Sequence, residues 1–284
     1  MTNDDDRAIL VVGGTGKTGR RVVDRLRARA VPVRAGSRSG TGPERFDWDD
    51  PATWGPALQG ARSAYITYFP DLAAPGASAA VEALAEQAVE HGLDRLVLLS
   101  GRGEEEAQES ERVLAKVTHR WTVVRASWFC QNFSEGFMAE LIGGGEIFLP
   151  AGDVPEPFVD TDDIADVAVA ALLDEGEAGD RHANRVYEVT GRRLVTFAEA
   201  VAEIGEACGR ELRYTQVPLD DFTAELTRLG EPDDVVGLLR YLFGEVLDGR
   251  NAHTTDGVEQ ALGRPARDFG DYVRSAQKTG VWDV

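Results

Sequence analysis

Residues 8–12, Ala-Ile-Leu-Val-Val, run directly into Gly13-Gly14-Thr15-Gly16-Lys17-Thr18-Gly19. Nothing else in the chain constrains its fold so tightly. A short apolar, β-branched run bounded by glycine reads as a strand buried on both faces, as in parallel sheets. Val22, Val23 and Leu26 then recur at helical spacing across residues 18–30, and residues 32–35 read as a second strand. Strand, glycine turn, helix and strand in this order make a βαβ unit. Gly13 takes the tight turn out of the strand, Gly16 lets backbone approach a diphosphate, and Gly19 lets the helix pack close to the sheet. The helix N-terminus adds amide hydrogens and a partial positive charge. A glycine triplet alone is weak; set between a strand and a helix it is a dinucleotide-binding turn. A P-loop fits worse, because no glycine stands at that motif's first position ahead of Lys17-Thr18.

The alternation continues downstream. Residues 50–58 read as a short helix with Asp50 as N-cap and Pro51 at its first position. Strands follow at 64–68, 95–100 and 121–125, and helices at 77–91, 108–117 and 133–142, the last stopped by Gly143-Gly144-Gly145. Strands alternating with helices predict an α/β Rossmann-type doubly wound parallel sheet. Beyond residue 145 the pattern loosens into helices at 164–173, 197–208, 220–229, 233–247 and 257–262, with short strands at 186–189 and 212–217. The division expected is a dinucleotide-binding domain over 1–145, its sheet completed by later segments up to 190, and a smaller, mostly helical C-terminal lobe over 146–284 that binds substrate.

A formal net charge of −19 repels nucleic acid and anionic lipid, so neither is an expected partner. It also means that an anionic cofactor needs a local basic or amide-lined pocket. Two distant cysteines, Cys130 and Cys208, read as reduced thiols, and with four scattered histidines they supply no zinc spacing. Glu104-Glu105-Glu106 reads as an exposed charge run, and Asp162 or Asp163 as the cap of a helix beginning at Ile164; no metal is expected. Residues 1–7 are polar and acidic, without a basic, then apolar, leader, and no apolar run is long enough to cross a bilayer. The reading is a cytoplasmic protein acting on a small molecule, with a homo-oligomer left open.

The end of the second strand chooses the cofactor. A site for NAD usually carries an acid there for the ribose hydroxyl; this chain has Ser37-Arg38-Ser39, in which Arg38 can grip a 2′-phosphate and the serines can donate to it. NADP(H) is therefore favoured over NAD(H), the alternative being a solvated Arg38. Asp47-Trp48 falls where an adenine edge and face would sit, as stacking or as packing.

Further residues carry a family likeness. Gly13 to Gly19, a strand ending in Ser100-Gly101, Trp121-Thr122-Val123-Val124-Arg125, Ser127-Trp128-Phe129, Gln131-Asn132-Phe133, Phe158-Val159-Asp160 and Asp163 to Ala168 together resemble the NmrA-like branch of atypical short-chain dehydrogenases/reductases. Ser37 to Gly40, Arg45-Phe46-Asp47-Trp48 and Thr53-Trp54 are similar to the bacterial relatives of festuclavine dehydrogenase, the ergot-alkaloid reductase. The resemblance reaches Gly263-Arg264-Pro265 and Phe269. It implies NADPH binding in the N-terminal domain, a substrate cleft between that domain and the lobe, and a place in secondary metabolism; festuclavine dehydrogenase itself reduces an iminium carbon by hydride transfer, and the likeness to it says little about this chain's substrate.

Short-chain dehydrogenases generally carry Tyr-x-x-x-Lys on the helix after the serine strand, the tyrosine delivering a proton. Here that helix, Glu104 to Lys116, has no tyrosine, and Lys116 reads as solvated. Two readings follow. One is an NADPH-dependent reductase of a small apolar imine, iminium or conjugated carbonyl, with Ser100 as the candidate catalytic hydroxyl or a mere strand cap, and Glu111 as an acid or a solvated carboxylate. The other is a non-catalytic NADP(H)-binding redox sensor acting through a protein partner. Tyr68, Phe69, Ser100 and Gly101 stand at strand carboxyl ends, where cofactor binds in open sheets. Tyr68, Trp128, Phe129, Phe133 and Tyr241 are the candidate walls of a flat apolar pocket, or core aromatics.

Overall fold

The first strand, β1 (Ala8–Val12), buries its last four residues. The structure, a computed structural model, describes residues 7–173 and 180–283, so the reading of the acidic N-terminus lies almost wholly outside the described residues. After the glycine turn come α1 (Lys17–Ala28) and β2 (Val33–Gly36). The helix stops before Ala30, which takes a left-handed φ of 56°. A 3₁₀ turn at Pro51–Thr53 leads into α2 (Trp54–Leu58). Asp50 makes no side-chain cap there; instead Thr53 Oγ1 donates to the Asp50 carbonyl at 2.7 Å. Then follow β3 (Ala61–Ile66), α3 (Ala77–Glu90), β4 (Arg95–Gly101), α4 (Glu105–Val117) and β5 (Trp121–Ala126).

At Ser127 the chain enters a second compact unit, earlier than the expected boundary at residue 145. A 3₁₀ turn at Cys130–Phe133, α5 (Phe137–Gly144) and β6 (Glu146–Leu149) belong to it. The physical reason is burial: Cys130, Phe133, Met138 and Ile142 all join the core of the second unit. The chain returns to the first unit for α6 (Thr161–Leu173) and β7 (Arg185–Val189), and again for α10 (Gly257–Leu262). The second unit gains α7 (Phe197–Cys208), β8 (Arg213–Gln216), α8 (Leu219–Leu229), α9 (Asp233–Tyr241) and α11 (Phe269–Gln277). The periodicity over 233–247 resolves into α9 followed by a π-helical turn at Leu242–Val246.

The first unit is a six-stranded parallel sheet in the order β2-β1-β3-β4-β5-β7, with helices on its faces. The strand order reverses direction between β1 and β3, and in such sheets ligands bind outside the carboxyl ends at that point. Leu10, Val12, Ile66 and Leu98 form one core with Val81, Leu84 and Leu114. Ile9 and Val11 point to the opposite face by strand alternation and are equally buried. On that face α1 and α6 are tied together, Arg25 bonding Asp162 at 2.7 Å and Asp166 at 2.5 Å. Helix α6 starts three residues before Ile164, so Asp162 and Asp163 lie in its first turn rather than at a cap. Asp163 pairs with Arg264 at 2.8 Å.

The second unit is mostly helical, with β6 and β8 pairing in parallel. Phe133, Phe158, Phe197 and Phe269 are packed ring against ring, with centroids 5.1–5.9 Å apart across their contacts. Burying each such ring contributes about 2–3 kcal/mol. Trp282 seals the cluster, its Nε1 donating to the Phe133 carbonyl at 2.8 Å. Among the described residues no helix is long and apolar enough to cross a membrane.

Candidate functional site

The glycine turn is built around Gly13. Its φ of 71° is a left-handed value, and a Cβ there would stand 2.2 Å from Thr67 Oγ1, which itself donates to the Val12 carbonyl at 3.0 Å. Thr67 follows β3, so this contact joins the carboxyl ends of the two strands where the sheet reverses. Gly19 sits in the first turn of α1 with its Cα against the Gly13 carbonyl, and an added Cβ would lie 2.1 Å from that oxygen. Gly14 is pressed onto the Ala35 backbone and donates to the Gly36 carbonyl at 2.9 Å. That close contact with β2 was not assigned from the sequence. Gly16 is the N-cap, extended and exposed, with no side-chain cap, and the first turn of α1 carries no acid. Thr15 is exposed and Lys17 half-buried. Thr18 is 4% exposed and lies beside the Tyr65 phenol.

At the end of β2, Ser37 is half-buried and Arg38 and Ser39 are exposed. The Arg38 guanidinium lies over the exposed Phe69 ring, 4.6 Å from its centroid, and among the described residues no carboxylate pairs with it. Both residues stand at strand carboxyl ends, Arg38 after β2 and Phe69 after β3. Asp47 and Trp48 are both engaged in the loop after β2. Asp47 holds the loop through its carbonyl, which accepts from Trp54 Nε1 at 2.8 Å. The Trp48 ring packs against Phe46, Trp54 and Tyr68 and donates Nε1–H to the Thr67 carbonyl at 3.0 Å. Burial, then the nearby Asp49 charge, push the half-buried Tyr68 phenol upward.

Ser100, near the end of β4, is 4% exposed and donates to Glu111 Oε1 at 2.6 Å. Glu111 in turn accepts two bonds from Arg125, at 2.9 Å from Nε and 2.5 Å from Nη2. The reading of Glu111 as solvated is corrected: it is 6% exposed and shares the buried face of α4 with Ala107, Ser110 and Leu114. Its hydrogen bonds raise the Arg125 guanidinium further above its already high range. Lys116 is exposed, and four positions before it stands Arg112, also exposed and paired with Glu109 at 2.6 Å. The Glu104–Glu106 run is corrected in part: Glu105 and Glu106 are exposed, but Glu104 is 7% exposed. Its carboxyl group lies on Gly101, where a Cβ would come within 2.1 Å of Oε1.

The candidate pocket aromatics are divided between the two units. Tyr68 belongs to the first unit and Trp128, Phe129, Phe133 and Tyr241 to the second. Trp128 packs against Phe197 and Phe243, and the half-buried Phe129 bridges to Val159 through its backbone. Phe133, at 1% exposure inside the phenylalanine cluster, is packed as a core residue. Tyr241 is half-buried at the end of α9. Cys130 and Cys208 are free thiols, and no group of three or more metal-ligating side chains is assembled among the described residues.

Known proteins resemble the chain over nearly its whole length. It is 31% identical over 283 residues to the (4-alkanoyl-5-oxo-2,5-dihydrofuran-3-yl)methyl phosphate reductase of Streptomyces griseus, covering 93% of this chain and 96% of that protein. The crystal structure of NmrA, a negative transcriptional regulator, in complex with NADP superposes with a TM-score of 0.69 at 18% identity, covering 99% of this chain and all of that one. The chain belongs to the NmrA-like atypical short-chain dehydrogenases/reductases. This NmrA-like chain is also 29% identical over 293 residues to NAD(P)H azoreductase of Xenophilus azovorans (94% and 97% covered). It is 28% identical over 295 residues to agroclavine dehydrogenase of Claviceps fusiformis (96% and 98% covered). The Citrobacter triphenylmethane reductase complexed with NADP(H) shares the fold, with a TM-score of 0.74 at 17% identity over 95% of this chain and 99% of that one. No family model matches the sequence.

Proposed function

We propose that this NmrA-like chain is an NADPH-dependent reductase of a small apolar electrophile, an imine, iminium or conjugated carbonyl. One observation carries the cofactor choice: the strand that would bear an acid for a ribose hydroxyl ends instead in Arg38, an exposed guanidinium with no carboxylate partner among the described residues. The remaining residues fit the same cofactor. Gly13, Gly14 and Gly19 leave backbone where side chains would otherwise stand. The start of α1, open at Gly16 and free of acids in its first turn, supplies amides and a positive dipole end to a diphosphate. Ser37, Arg38 and Ser39 would hold the 2′-phosphate and Phe69 would flank the base. In a protein of net charge −19 this local positive site is what makes an anionic cofactor tolerable.

Bound NADPH supplies a hydride. The chain's own part is to hold and orient: the Ser100 hydroxyl is committed as a donor to Glu111, so it meets a ligand as an acceptor, fixed in place by the Glu111–Arg125 pair. The likeness to an azoreductase and to a reductase of (4-alkanoyl-5-oxo-2,5-dihydrofuran-3-yl)methyl phosphate supports reduction. A second reading, an NADP(H) sensor, draws on α4, which places Arg112 where the proton-delivering tyrosine would stand.

Arg38→Ala tests the cofactor assignment. Loss of charge-assisted bonds to a phosphate should weaken NADPH roughly tenfold to a hundredfold and leave NADH nearly unchanged, by fluorescence titration. Equal effects on both nucleotides would remove the 2′-phosphate assignment. Oxidation of NADPH against a panel of imines, quinones and enones separates the two readings: tight binding with no turnover on any member selects the sensor.

A further inference from the structure

Glu104 is a buried acid in an unexpected place. It is the N-cap residue of α4, yet its side chain caps nothing, and it is 7% exposed. Its Oε2 meets no N–H or O–H donor among the described residues. The carboxyl group instead folds back on Gly101, at the end of β4, and faces the carboxyl group of Asp71 in the loop after β3. Asp71 is half-buried, and its Oδ1 accepts the Ala73 N–H at 2.9 Å. Glu106 and Glu111, both from α4 and both negative, also act on Glu104.

Two carboxyl groups brought together in a buried setting cannot both ionise at moderate cost. They share one proton. Burial, followed by the Asp71 charge, pushes Glu104 well above the usual carboxylate range, and Asp71, already satisfied by a peptide N–H, is the natural acceptor. The pair therefore has Glu104 as its acid and Asp71, half-buried and itself pushed upward by burial, as its acceptor. It lies at the carboxyl ends of β3 and β4, beside Ser100-Gly101 and close in sequence to Phe69. This is the side of a parallel sheet on which ligands bind.

We propose that the Asp71–Glu104 carboxyl pair is the proton source of this protein, taking the part of the tyrosine that α4 lacks, and that its substrate is a conjugated carbonyl compound. The inference rests on the reductase reading above. In the reduction, the β-carbon gains the hydride supplied by a dihydronicotinamide and the C=C π bond breaks. The α-carbon then takes the shared proton, which leaves the pair through Asp71 as the Glu104 O–H bond breaks. The products are a saturated carbonyl and an oxidised nicotinamide. The two carboxylates left behind take back one proton from water. An iminium needs only the hydride, so it bypasses the pair and serves as the internal control.

The test uses the whole protein with Glu104→Gln, which keeps the shape and removes the acid, and Asp71→Asn as a second variant should the first not fold. Without ligand, infrared spectroscopy near neutral pH should show the C=O band of a protonated carboxylic acid, lost in Glu104→Gln. NADPH affinity should be unchanged. Enone reduction should fall by at least roughly a hundredfold, the usual contribution of a positioned acid, while reduction of a preformed iminium stays within about twofold. Absence of the band in the wild type overturns the proposal, and so does a variant that reduces enones at the wild-type rate with an unchanged pH profile. A wild type that turns over no member of the panel overturns the reductase reading, and proton delivery with it. The infrared band then still decides whether the pair holds a proton.

Discussion

Gly19→Ala sets two opposing effects against each other at one site. In a helix interior the change favours folding by about 1 kcal/mol, because alanine gives up less chain entropy than glycine. At residue 19, however, the new Cβ would lie 2.1 Å from the Gly13 carbonyl oxygen and 2.8 Å from its carbon. Ordinary contact requires more than 3 Å, so α1 and the Gly13 turn must separate by about 1 Å. Both are backbone, held by the sheet on one side and by the Arg25 pairs to α6 on the other. Overpacking of this kind costs about 3 kcal/mol, leaving a net loss of about 2 kcal/mol. For a domain of this size that corresponds to a melting temperature lower by roughly 4–8 °C. The same shift displaces the amides offered to a diphosphate, so NADPH affinity should fall roughly tenfold, the loss of one hydrogen bond to a charged group. Gly237→Ala is the control. Gly237 lies within α9 with nothing within 4 Å of an added Cβ, and there the helix-propensity gain should appear unopposed, raising stability by about 0.5–1 kcal/mol. Differential scanning fluorimetry and nucleotide titration on both variants decide the matter. A Gly19→Ala protein as stable as Gly237→Ala, with unchanged NADPH affinity, would refute the close-approach argument.

Glu111→Ala should destabilise by about 3 kcal/mol, measured by chemical denaturation, because it leaves Arg125 without its partner and Ser100 without its acceptor; Ser100→Ala, which spares the ion pair, should cost about 1 kcal/mol. Thr196→Ala removes a capping box at the start of α7, in which Thr196 and Glu199 each accept the other's backbone N–H, and should cost about 1 kcal/mol in the same assay. For Glu104, whose acid form is favoured in the folded state mainly by burial, the folded protein binds more protons than the unfolded chain above the ordinary carboxylate range. Its contribution to stability is full in acid and is lost as pH rises through the elevated value. The melting temperature of the wild type should therefore fall, relative to that of Glu104→Gln, as pH increases from about 5 to about 8.

Much of the first unit was legible because its signals are local. Apolar β-branched runs mark β1, β4 and β5, and the glycine spacing reports a turn whose tightness depends on residues within one βαβ unit. What escaped was every feature that depends on a partner remote in sequence. Glu111 looks like a surface acid until Arg125 is placed beside it; its spacing from Ala107 and Leu114 on one helical face was the available signal. Phe133 reads equally as a pocket wall or a core ring, and only Phe158, Phe197, Phe269 and Trp282, all distant along the chain, make it core. Helix α6 starts earlier than its sequence suggests, because Asp162 and Asp163 look like caps, whereas their charges are taken up by Arg25 and Arg264.

The sequence alone determined the parallel sheet, the dinucleotide-type turn and the absence of an acid at the end of β2, since each follows from residue type and short-range spacing. Tertiary structure decided how the chain is shared between two interleaved units, with segments 127–160 and 161–189 assigned by the core that buries them. It also decided the fate of the charges. A carboxyl group's burial, partners and proton are set by what folding brings near it, and the free energy of burying an acid against Gly101 and Asp71 has no counterpart in the pattern of residues around Glu104.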